Sequence, residues 1–350
     1  MSSFSYVISG GTPNTANQKY WNGEINWFTP TEIGNEKYVS ESHRKITSLG
    51  LFNSSAKLIK ANSILLTSRA TIGAISINQK DCTTNQGFQS LTPNDVDLNY
   101  LYYLISTKHF QNKLVIHSSK STFLEISHKE ISKLKINVPV DEHEQEKIGL
   151  FFSLIDNKIK IITRKINILK KYKKGLQEFV FKKSTKPFIK LNLLVTFMPK
   201  SKISARNSIQ NGLYPFYLSG EKIGTINSFM YKGCYIIAND GGEAGFRLSN
   251  GPFAYSDHCI CFCAKKDHLT RNIYEFLDLQ KREITYVGFL GSGLKNIDRN
   301  YLQNLKIPQV VKNENLSSLF LLINKKINYY QNKLAKLKAT KEYLLFNMFI

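Results

Sequence analysis

Acidic residues are scarce in this chain, and no stretch is apolar enough to cross a bilayer. The 350 residues include 48 Lys and Arg against 26 Asp and Glu, which gives a formal net charge of +22. Such an excess favours a polyanionic partner. No run of about 18 apolar residues occurs, and residues 1–9 lack the basic start and apolar core of a signal peptide. We therefore predict a cytoplasmic protein with no membrane partner.

Cysteine is also sparse, since five cysteines in a chain this long do not form a secreted disulfide scaffold. Cys259, Cys261 and Cys263 alternate along a predicted strand, which places His258 on the opposite face. That arrangement is a poor start for a tetrahedral zinc site. We predict three small buried core residues and no metal site.

Motifs for catalysis are missing as well. Gly241–Gly245 lacks the lysine of a phosphate-binding loop, and His143-Glu144 lacks the second histidine of a zinc protease motif. No Asn-Pro-Pro-aromatic tetrapeptide is present, of the kind that amino-methyltransferases use on a flipped base. The pair Asp156-x-Lys158 lies inside a predicted helix. The chain is predicted to bind and not to catalyse.

The sequence does contain an internal duplication. Residues 151–181 match residues 319–349 at an offset of 168, with Phe152 opposite Phe320 and Phe181 opposite Phe349. In both stretches the apolar positions step by four and three, as in the seam of a coiled coil. Residues 151–186 carry a net charge of about +9, which suits either a solvated face or proximity to phosphates.

One seam position is occupied by a lysine in both helices, Lys173 in the first and Lys341 in the second. A cation there lowers stability and can set register or partner choice. It can equally extend its charge out of an imperfect seam.

The duplication extends upstream of the helices, so whole domains were copied. At an offset of 172, residues 64–73 match residues 236–245, each an apolar run followed by a turn that ends in glycine. Residues 84–86 likewise face residues 256–258. Residues before about 60 and from about 187 to 230 align poorly, so the halves share a frame but not a surface. This pattern suggests two different ligands of one kind.

Three segments of the first half occur in a characteristic order. They are Gly10-Gly11-Thr12-Pro13, Thr84-Asn85-Gln86-Gly87 and Glu144-Gln145-x-x-Ile148, the last of which runs into Leu154-Ile155-Asp156 and Lys174-Gly175-Leu176. These segments resemble landmarks of the specificity subunits of type I restriction-modification systems, where the first two belong to a target recognition domain. The third is the most specific. The second half departs from the pattern, with Asn313-Glu314-Asn315 in place of Glu-Gln. Many relatives also have a leading strand before Gly10, so we expect that the chain could be truncated there.

The resemblance implies an α+β fold with two mixed α/β target recognition domains. Two long antiparallel helices would form a coiled coil that separates them, with an internal pseudo-twofold repeat. The implied ranges are 1–147 for domain 1, 148–186 for the central helix, 187–314 for domain 2 and 315–350 for the C-terminal helix. Each domain would read one half of a split sequence in double-stranded DNA, and the helices would set the distance between the halves.

The resemblance also assigns all chemistry to partners. Methyltransferase subunits would use S-adenosylmethionine, and a motor and nuclease subunit would use ATP with magnesium; this chain itself would bind no cofactor. The expected docking residues are Glu144, Gln145, Lys165, Lys173, Lys333 and Lys341.

DNA contacts are expected on loops, with phosphates bound by Lys and Arg and bases read by polar side chains. The candidates are Thr67, Ser68, Arg69, Gln86 and Lys120 in the first half and Asn239, Arg247, His258, Ser292 and Lys295 in the second. Each could equally cap a loop. Asn85 and Asp257 are predicted to form turns.

Two alternatives remain at the level of sequence. A non-catalytic coiled-coil scaffold explains the helices but not the diverged loops and the positive charge. A recognition arm detached from a fused methyltransferase-nuclease is the second alternative. RNA binding is disfavoured, because no aromatic platform motif is present.

Overall fold

The structure is a computed structural model that describes residues 1, 3–69, 71–119, 124–182, 187–291 and 295–349. The chain divides into two compact units. Unit 1 comprises Met1–Ile161 with Leu334–Ile350, and unit 2 comprises Ile162–Lys333.

Unit 1 is built from short strands followed by short helices. Its strands are β1 (Ser5–Ser9), β2 (Trp21–Phe28), β3 (Tyr38–Val39), β4 (Arg44–Ile46), β5 (Ile64–Leu66), β6 (Ile75–Asn78), β7 (Cys82–Thr84) and β8 (Gln89–Pro93). Its short helices are α1 (Ser48–Phe52), α2 (Leu98–Ser106), α3 (Lys108–Ile116) and α4 (His128–Lys133). The long helix α5 (Glu142–Gln177) follows and continues as one π-helical turn over Glu178–Lys182.

The strands of unit 1 form two sheets, ordered β1-β8-β5-β6-β3 and β4-β2-β7. Pairing is antiparallel except between β3 and β6 and between β2 and β7. Strands β5 and β6 are almost entirely buried. Strands in which every residue is buried are covered on both faces, and Ser76 and Asn78 of β6 are buried with the apolar residues.

Helices α2 and α3 cover one face of the larger sheet of unit 1. The Asp97 carboxylate accepts a hydrogen bond from the amide of Tyr100 at 2.7 Å and so begins α2. The Thr107 hydroxyl ends α2 and caps α3. Such side-chain acceptors satisfy amides that a helix leaves free at its first turn. Leu101 and Ile105 are fully buried in the core below.

Unit 2 has longer strands and one long domain helix. Its strands are β9 (Phe188–Lys190), β10 (Val195–Phe197), β11 (Tyr214–Tyr217), β12 (Ile223–Ile226), β13 (Tyr231–Asn239), β14 (Phe246–Tyr255), β15 (Cys259–Ala264), β16 (Phe289–Leu290), β17 (Asn296–Ile297) and β18 (Lys306–Pro308). Its helices are α6 (Leu191–Leu194), α7 (Asp267–Gly288) and α8 (Arg299–Asn304), and α9 (Glu314–Met348) is the second long helix.

The main sheet of unit 2 has the order β10-β15-β13-β14-β11-β12. Its first five strands repeat the order of β1-β8-β5-β6-β3 in unit 1. The one parallel pair, β11 with β14, corresponds to the parallel pair β3 with β6. The two units therefore share a sheet frame, although their strands differ in length.

The long helices contact each other within both units. In unit 1 the rings of Phe152 on α5 and Phe349, which follows α9, lie 5.7 Å apart. In unit 2 the rings of Phe181 and Phe320 stack at 6.0 Å. These are the residues that the duplication aligns, so each contact is the counterpart of the other. The helices begin at Glu142 and Glu314, earlier than the predicted boundaries at 148 and 315.

None of the helices in the described ranges combines the length and the apolar content that a membrane span requires.

Candidate nucleic-acid interface

The first glycine loop, residues 67–74, connects β5 to β6 and is held by several backbone hydrogen bonds. The amide of Thr67 donates to the carbonyl of Ala74 at 2.9 Å, and the amide of Ser68 donates to Gly87 at 2.7 Å. The amide of Ile126 donates to Ser68 at 3.1 Å. Three segments that are distant in sequence therefore meet at this loop.

The second glycine loop, residues 239–245, repeats these bonds between β13 and β14. The amide of Asn239 donates to Gly245 at 2.9 Å, and the amide of Asp240 donates to His258 at 3.1 Å. The amide of Ile297 donates to Asp240 at 2.8 Å. The segments that the sequence alignment paired thus occupy matching places in the two units.

The side chains of the first glycine loop mostly face inward. Thr67 is fully buried, and its hydroxyl accepts from the amide of Ala74 at 2.9 Å. Ser68 is fully buried too, and its hydroxyl has no hydrogen-bond partner among the described residues. Arg69 is about half exposed and forms an ion pair with Glu125 at 2.7 Å. Of these three candidates, only Arg69 presents a polar group at the surface, and DNA contact by all three stays a prediction.

Gln86 lies beside the first glycine loop and is exposed. Its side-chain oxygen accepts from the Thr12 hydroxyl at 2.6 Å. The neighbouring Asn85 accepts from the amide of Gly87 at 2.9 Å, so it forms the predicted turn. Because the Thr12 contact uses only the side-chain oxygen of Gln86, its amide NH₂ group keeps both donors for a ligand.

The second glycine loop borders a cavity of about 790 Å³, within the usual size range of ligand sites. Arg247 lies in its wall and donates to the carbonyl of Leu218 and to the Asn239 side chain, the latter at 3.0 Å. The Tyr217 ring lies 5.4 Å from the guanidinium. Burial lowers the pKa of Arg247. Asn239 is itself 6 % exposed, so it holds Arg247 and does not reach the surface.

Two further candidates of unit 2 reach solvent. The His258 side chain is 65 % exposed and lines the same cavity. Lys295 is exposed, and its carbonyl accepts from the amide of Gly242 at 2.8 Å. Both stay candidates for DNA contact. Lys120 and Ser292, which were also predicted, lie outside the described residues.

The sequence analysis did not predict the residues on helices α3 and α7 whose side chains contact the glycine loops. In unit 1 the side-chain amide of Gln111 on α3 donates to the carbonyl of Gly73 at 3.0 Å. In unit 2 the Thr285 hydroxyl on α7 accepts from the amide of Ala244 at 2.9 Å. Asp278, Lys281 and Arg282 share the face of α7 that carries Thr285 and line the cavity. Their helical spacing was a usable signal.

Among the predicted docking residues, Glu144 is exposed but Gln145 is 2 % exposed. The Gln145 side chain donates to the carbonyl of Pro139 at 2.8 Å and accepts from the amide of Asp97 at 2.9 Å. Both ends of its amide are thus used inside unit 1, where they fix the start of α5 against α2.

The two seam lysines also form internal contacts. Lys173 is 15 % exposed and pairs with the fully buried Glu275 at 2.7 Å in unit 2. Lys341 is 21 % exposed and pairs with Asp156 in unit 1. The alternative that these charges extend into solvent is therefore wrong, because each has a carboxylate beside it.

Lys165 and Lys333, the remaining docking candidates, are exposed. Lys165 lies 5.8 Å from the centre of the Tyr330 ring. Docking by any of the six residues stays a prediction.

Two of the three cysteines of β15 are core residues, and the prediction of three buried cysteines is wrong for Cys263, which is only partly buried. Cys259 and Cys261 are almost fully buried and pack with Tyr217 and Phe253 on one face of the sheet. Burial raises the pKa of both thiols, so they stay protonated at neutral pH. Protonated thiols are poor metal ligands.

Comparison with known families assigns the chain. The family model described as the type I restriction modification DNA specificity domain matches residues 3–171 and again residues 183–342. The chain therefore belongs to this family. The two matches and the mixed α/β content of both units confirm the predicted two-domain α+β organisation.

Curated relatives in the family match parts of the chain. It is 38 % identical over 168 residues to the type I restriction enzyme MjaIX specificity subunit of Methanocaldococcus jannaschii, which covers 47 % of this chain and 39 % of that protein. It is 27 % identical over 182 residues to the EcoR124I/EcoR124II specificity subunit of Escherichia coli, which covers 49 % of this chain and 45 % of that protein. These alignments thus span less than half of each relative.

Solved structures show the same fold over the whole chain. The S subunit of a type I restriction-modification system from M. genitalium superimposes with a TM-score of 0.72 at 15 % identity, over 100 % of this chain and 94 % of that one. A chain from a structure of type I system assembly superimposes with a TM-score of 0.56 at 13 % identity, over 99 % and 96 %.

Proposed function

We propose that this chain is the DNA-recognition subunit of a type I restriction-modification complex, in which each unit reads one half of a split target in double-stranded DNA. The observation that supports this most is the repeated loop frame. Three backbone hydrogen bonds recur at both glycine loops, while the side chains on them differ. Two domains that share these backbone bonds but carry different loop side chains are suited to bind the same kind of DNA with different base preferences.

We further propose that α5 and α9 form an antiparallel coiled coil that sets the spacing between the half-sites. The start of α5 contacts the end of α9 within unit 1, and the end of α5 contacts the start of α9 within unit 2. Because Phe152 aligns with Phe320 and Phe181 with Phe349, the two contacts would exchange in the pseudo-twofold repeat that we propose. The 36 residues of α5 correspond to about 54 Å of rise.

Methylation and cleavage are assigned to partner subunits in this proposal. Methyltransferase subunits would supply S-adenosylmethionine, and a motor and nuclease subunit would supply ATP and magnesium. The exposed Glu144, Lys165 and Lys333 are the remaining docking candidates, and a cytoplasmic location would bring all components to the DNA.

DNA binding by the full chain tests the core of the proposal. We expect a duplex shift whose affinity falls steeply as salt rises from 50 to 200 mM, because phosphate contacts release counterions. A scaffold protein would show no salt-dependent shift. Methyl transfer by the purified chain without partners would contradict the assignment of chemistry to other subunits.

Mapping of methylated adenines in host DNA, with and without this chain, tests the bipartite target. Loss of methylation at one split motif is expected when the chain is absent. Insertion of seven residues into α5 should then lengthen the gap between the half-sites and leave the half-sites themselves unchanged. An unchanged gap would contradict the coiled-coil spacer.

A further inference from the structure

We infer that the cavity of unit 2 receives the edge of a nucleobase and that Arg282 makes this site select guanine, an inference that rests on the proposed function. Arg282 lies on the domain helix α7 and was not among the candidates predicted from the sequence.

One face of α7 forms a wall of the cavity. Asp278, Lys281, Arg282 and Thr285 are spaced three and four residues apart and all line it. Thr285 fastens the second glycine loop to this wall by accepting from the amide of Ala244 at 2.9 Å. Side chains on a packed helix are positioned more accurately than side chains on a loop.

The charges that line the cavity are balanced. Arg247, Lys281 and Arg282 oppose Glu221, Glu243 and Asp278. A phosphate entering this space would meet three carboxylates, and like charges at close range are unfavourable. The edge of a base is neutral and carries both donors and acceptors, so it matches a lining of both kinds.

Arg282 is the guanidinium of this lining that is exposed to solvent. Lys281 lies 3.6 Å from the Asp278 carboxylate. Arg247 is largely buried and donates through Nη2 to Leu218 and Asn239, while its Nε and Nη1 have no partner among the described residues. Arg282 is exposed and forms no ion pair or hydrogen bond with the residues that the structure describes. A free guanidinium fork fits the O6 and N7 acceptors of guanine in the major groove.

Unit 1 differs at the equivalent position. Gln111 aligns with Arg282 at an offset of 171, the offset between Ile126 and Ile297, which donate to the two glycine loops. The Gln111 amide is turned inward to Gly73 and Ile105. A side chain used in this way cannot read a base. Guanine selection by this mechanism is therefore confined to the half-site of unit 2.

Selection of duplexes from a random pool by the full chain tests the inference. The wild-type chain should enrich a split sequence with a guanine in one half-site. Arg282→Gln should lower affinity for that sequence about 5- to 100-fold and remove the guanine preference at that single position. The other half-site should not change. Arg271→Gln on the same helix, outside the cavity lining, is the matched control and should alter no base preference.

A modified base tests the same contact by changing the DNA and not the protein. Replacing the selected guanine with 7-deazaguanine removes the N7 acceptor, so wild-type affinity should fall while Arg282→Gln is indifferent. A uniform loss across all sequences, with a salt slope lower by about 1, would make Arg282 a phosphate ligand and overturn the inference. An unchanged preference in Arg282→Gln would overturn it too. Failure of the wild-type chain to enrich any split sequence would instead overturn the proposed function.

Discussion

In each unit a lysine of a long helix pairs with a buried or partly buried carboxylate, but the helix that carries the carboxylate differs between units 1 and 2. In unit 1 the carboxylate is Asp156 on α5, which accepts from Lys341 on α9 and from the Tyr103 hydroxyl on α2 at 2.7 Å. The long helix therefore supplies the acid in this unit.

In unit 2 the carboxylate has moved to the domain helix. Glu275 on α7 accepts from Lys173 at 2.7 Å, from Asn324 at 2.7 Å and from Gln177 at 2.8 Å. Position 324 aligns with position 156, and there the acid has become an amide. The lysine is kept at both seam positions, and its partner has changed helix.

A second polar link shows the same exchange. In unit 1 Gln145 on α5 holds the carbonyl of Pro139 before the long helix. In unit 2 Asn272 on α7 donates to the carbonyls of Val311 and Asn313, both at 2.9 Å, before α9. In both units an amide side chain thus binds a backbone carbonyl just before a long helix, although the two amides occupy positions that do not align. The second unit therefore makes this contact without a Glu-Gln motif.

Removal of the charge of Glu275 should have the largest effect. Glu275→Gln leaves Lys173 facing the interior of unit 2 without a counter-charge, which should cost about 3 kcal/mol of stability. Asp156→Asn should cost less, roughly 1–2 kcal/mol, because Asp156 and Lys341 are 28 % and 21 % exposed and water screens them. Chemical denaturation combined with hydrogen exchange would assign each loss to its unit.

The matched control for this prediction is Glu130→Gln, since Glu130 forms an exposed pair with Lys133. It should leave the unfolding transition unchanged. Equal losses in Glu275→Gln and Asp156→Asn would show that burial does not distinguish the two pairs.

The next largest loss of stability is expected when Asn324, which aligns with Asp156, is replaced by Asp. Asn324→Asp places a second carboxylate about one hydrogen-bond length from Glu275, so stability at pH 7 should fall by about 2 kcal/mol. The crowded pair binds a proton more tightly in the folded state, so the loss should shrink as pH falls toward 5. Denaturation between pH 5 and 8 measures this. Asn324→Ala, which loses only the hydrogen bond, should show no such pH dependence.

The network of unit 1 contains a second lysine, which predicts a pH effect there. Burial lowers the pKa of Lys37 to about 8, while Asp156 opposes this shift and Lys341 adds to it. The unfolded chain therefore binds more protons between pH 8 and about 10, so the wild type should gain stability over this window. Lys37→Met should lack the gain. Above about pH 10 the raised pKa of Tyr103 acts in the opposite direction. A parallel pH profile for the two proteins would disprove the assignment.

The smallest expected effects distinguish the two glycine loops. Both Gly73 and Gly242 have positive φ, +94° and +85°, so Ala at either position strains the backbone by about 1 kcal/mol. At Gly73 an added Cβ would also lie 1.8 Å from the Gln111 side-chain oxygen, whereas nothing lies within 4 Å at Gly242. Gly73→Ala should therefore destabilise more, by roughly a further 1 kcal/mol. Thermal unfolding compares them, and a larger loss in Gly242→Ala would contradict this account of the loops.

Part of the candidate site could be predicted from the sequence. The match of residues 64–73 to residues 236–245 located both glycine loops, because an apolar strand followed by a glycine turn is a local pattern. The same reasoning chose Thr67 and Ser68 as readers, and the structure buries both. Polarity alone does not say which way a loop side chain points. Arg282 was missed because α7 was not recognised as part of the site.

The sequence by itself determined the two-fold plan: the doubled order of strands and loops, the long helices with their seam, and the positive charge. These follow from periodicity and composition, which short stretches of chain carry. Only the tertiary structure decided which groups pair. Lys341 and Asp156 are 185 residues apart in sequence, and Glu275 aligns with Tyr103 and not with an acid. An ion pair depends on the distance between two charges in space, so its partner can move to another helix without any trace in the alignment.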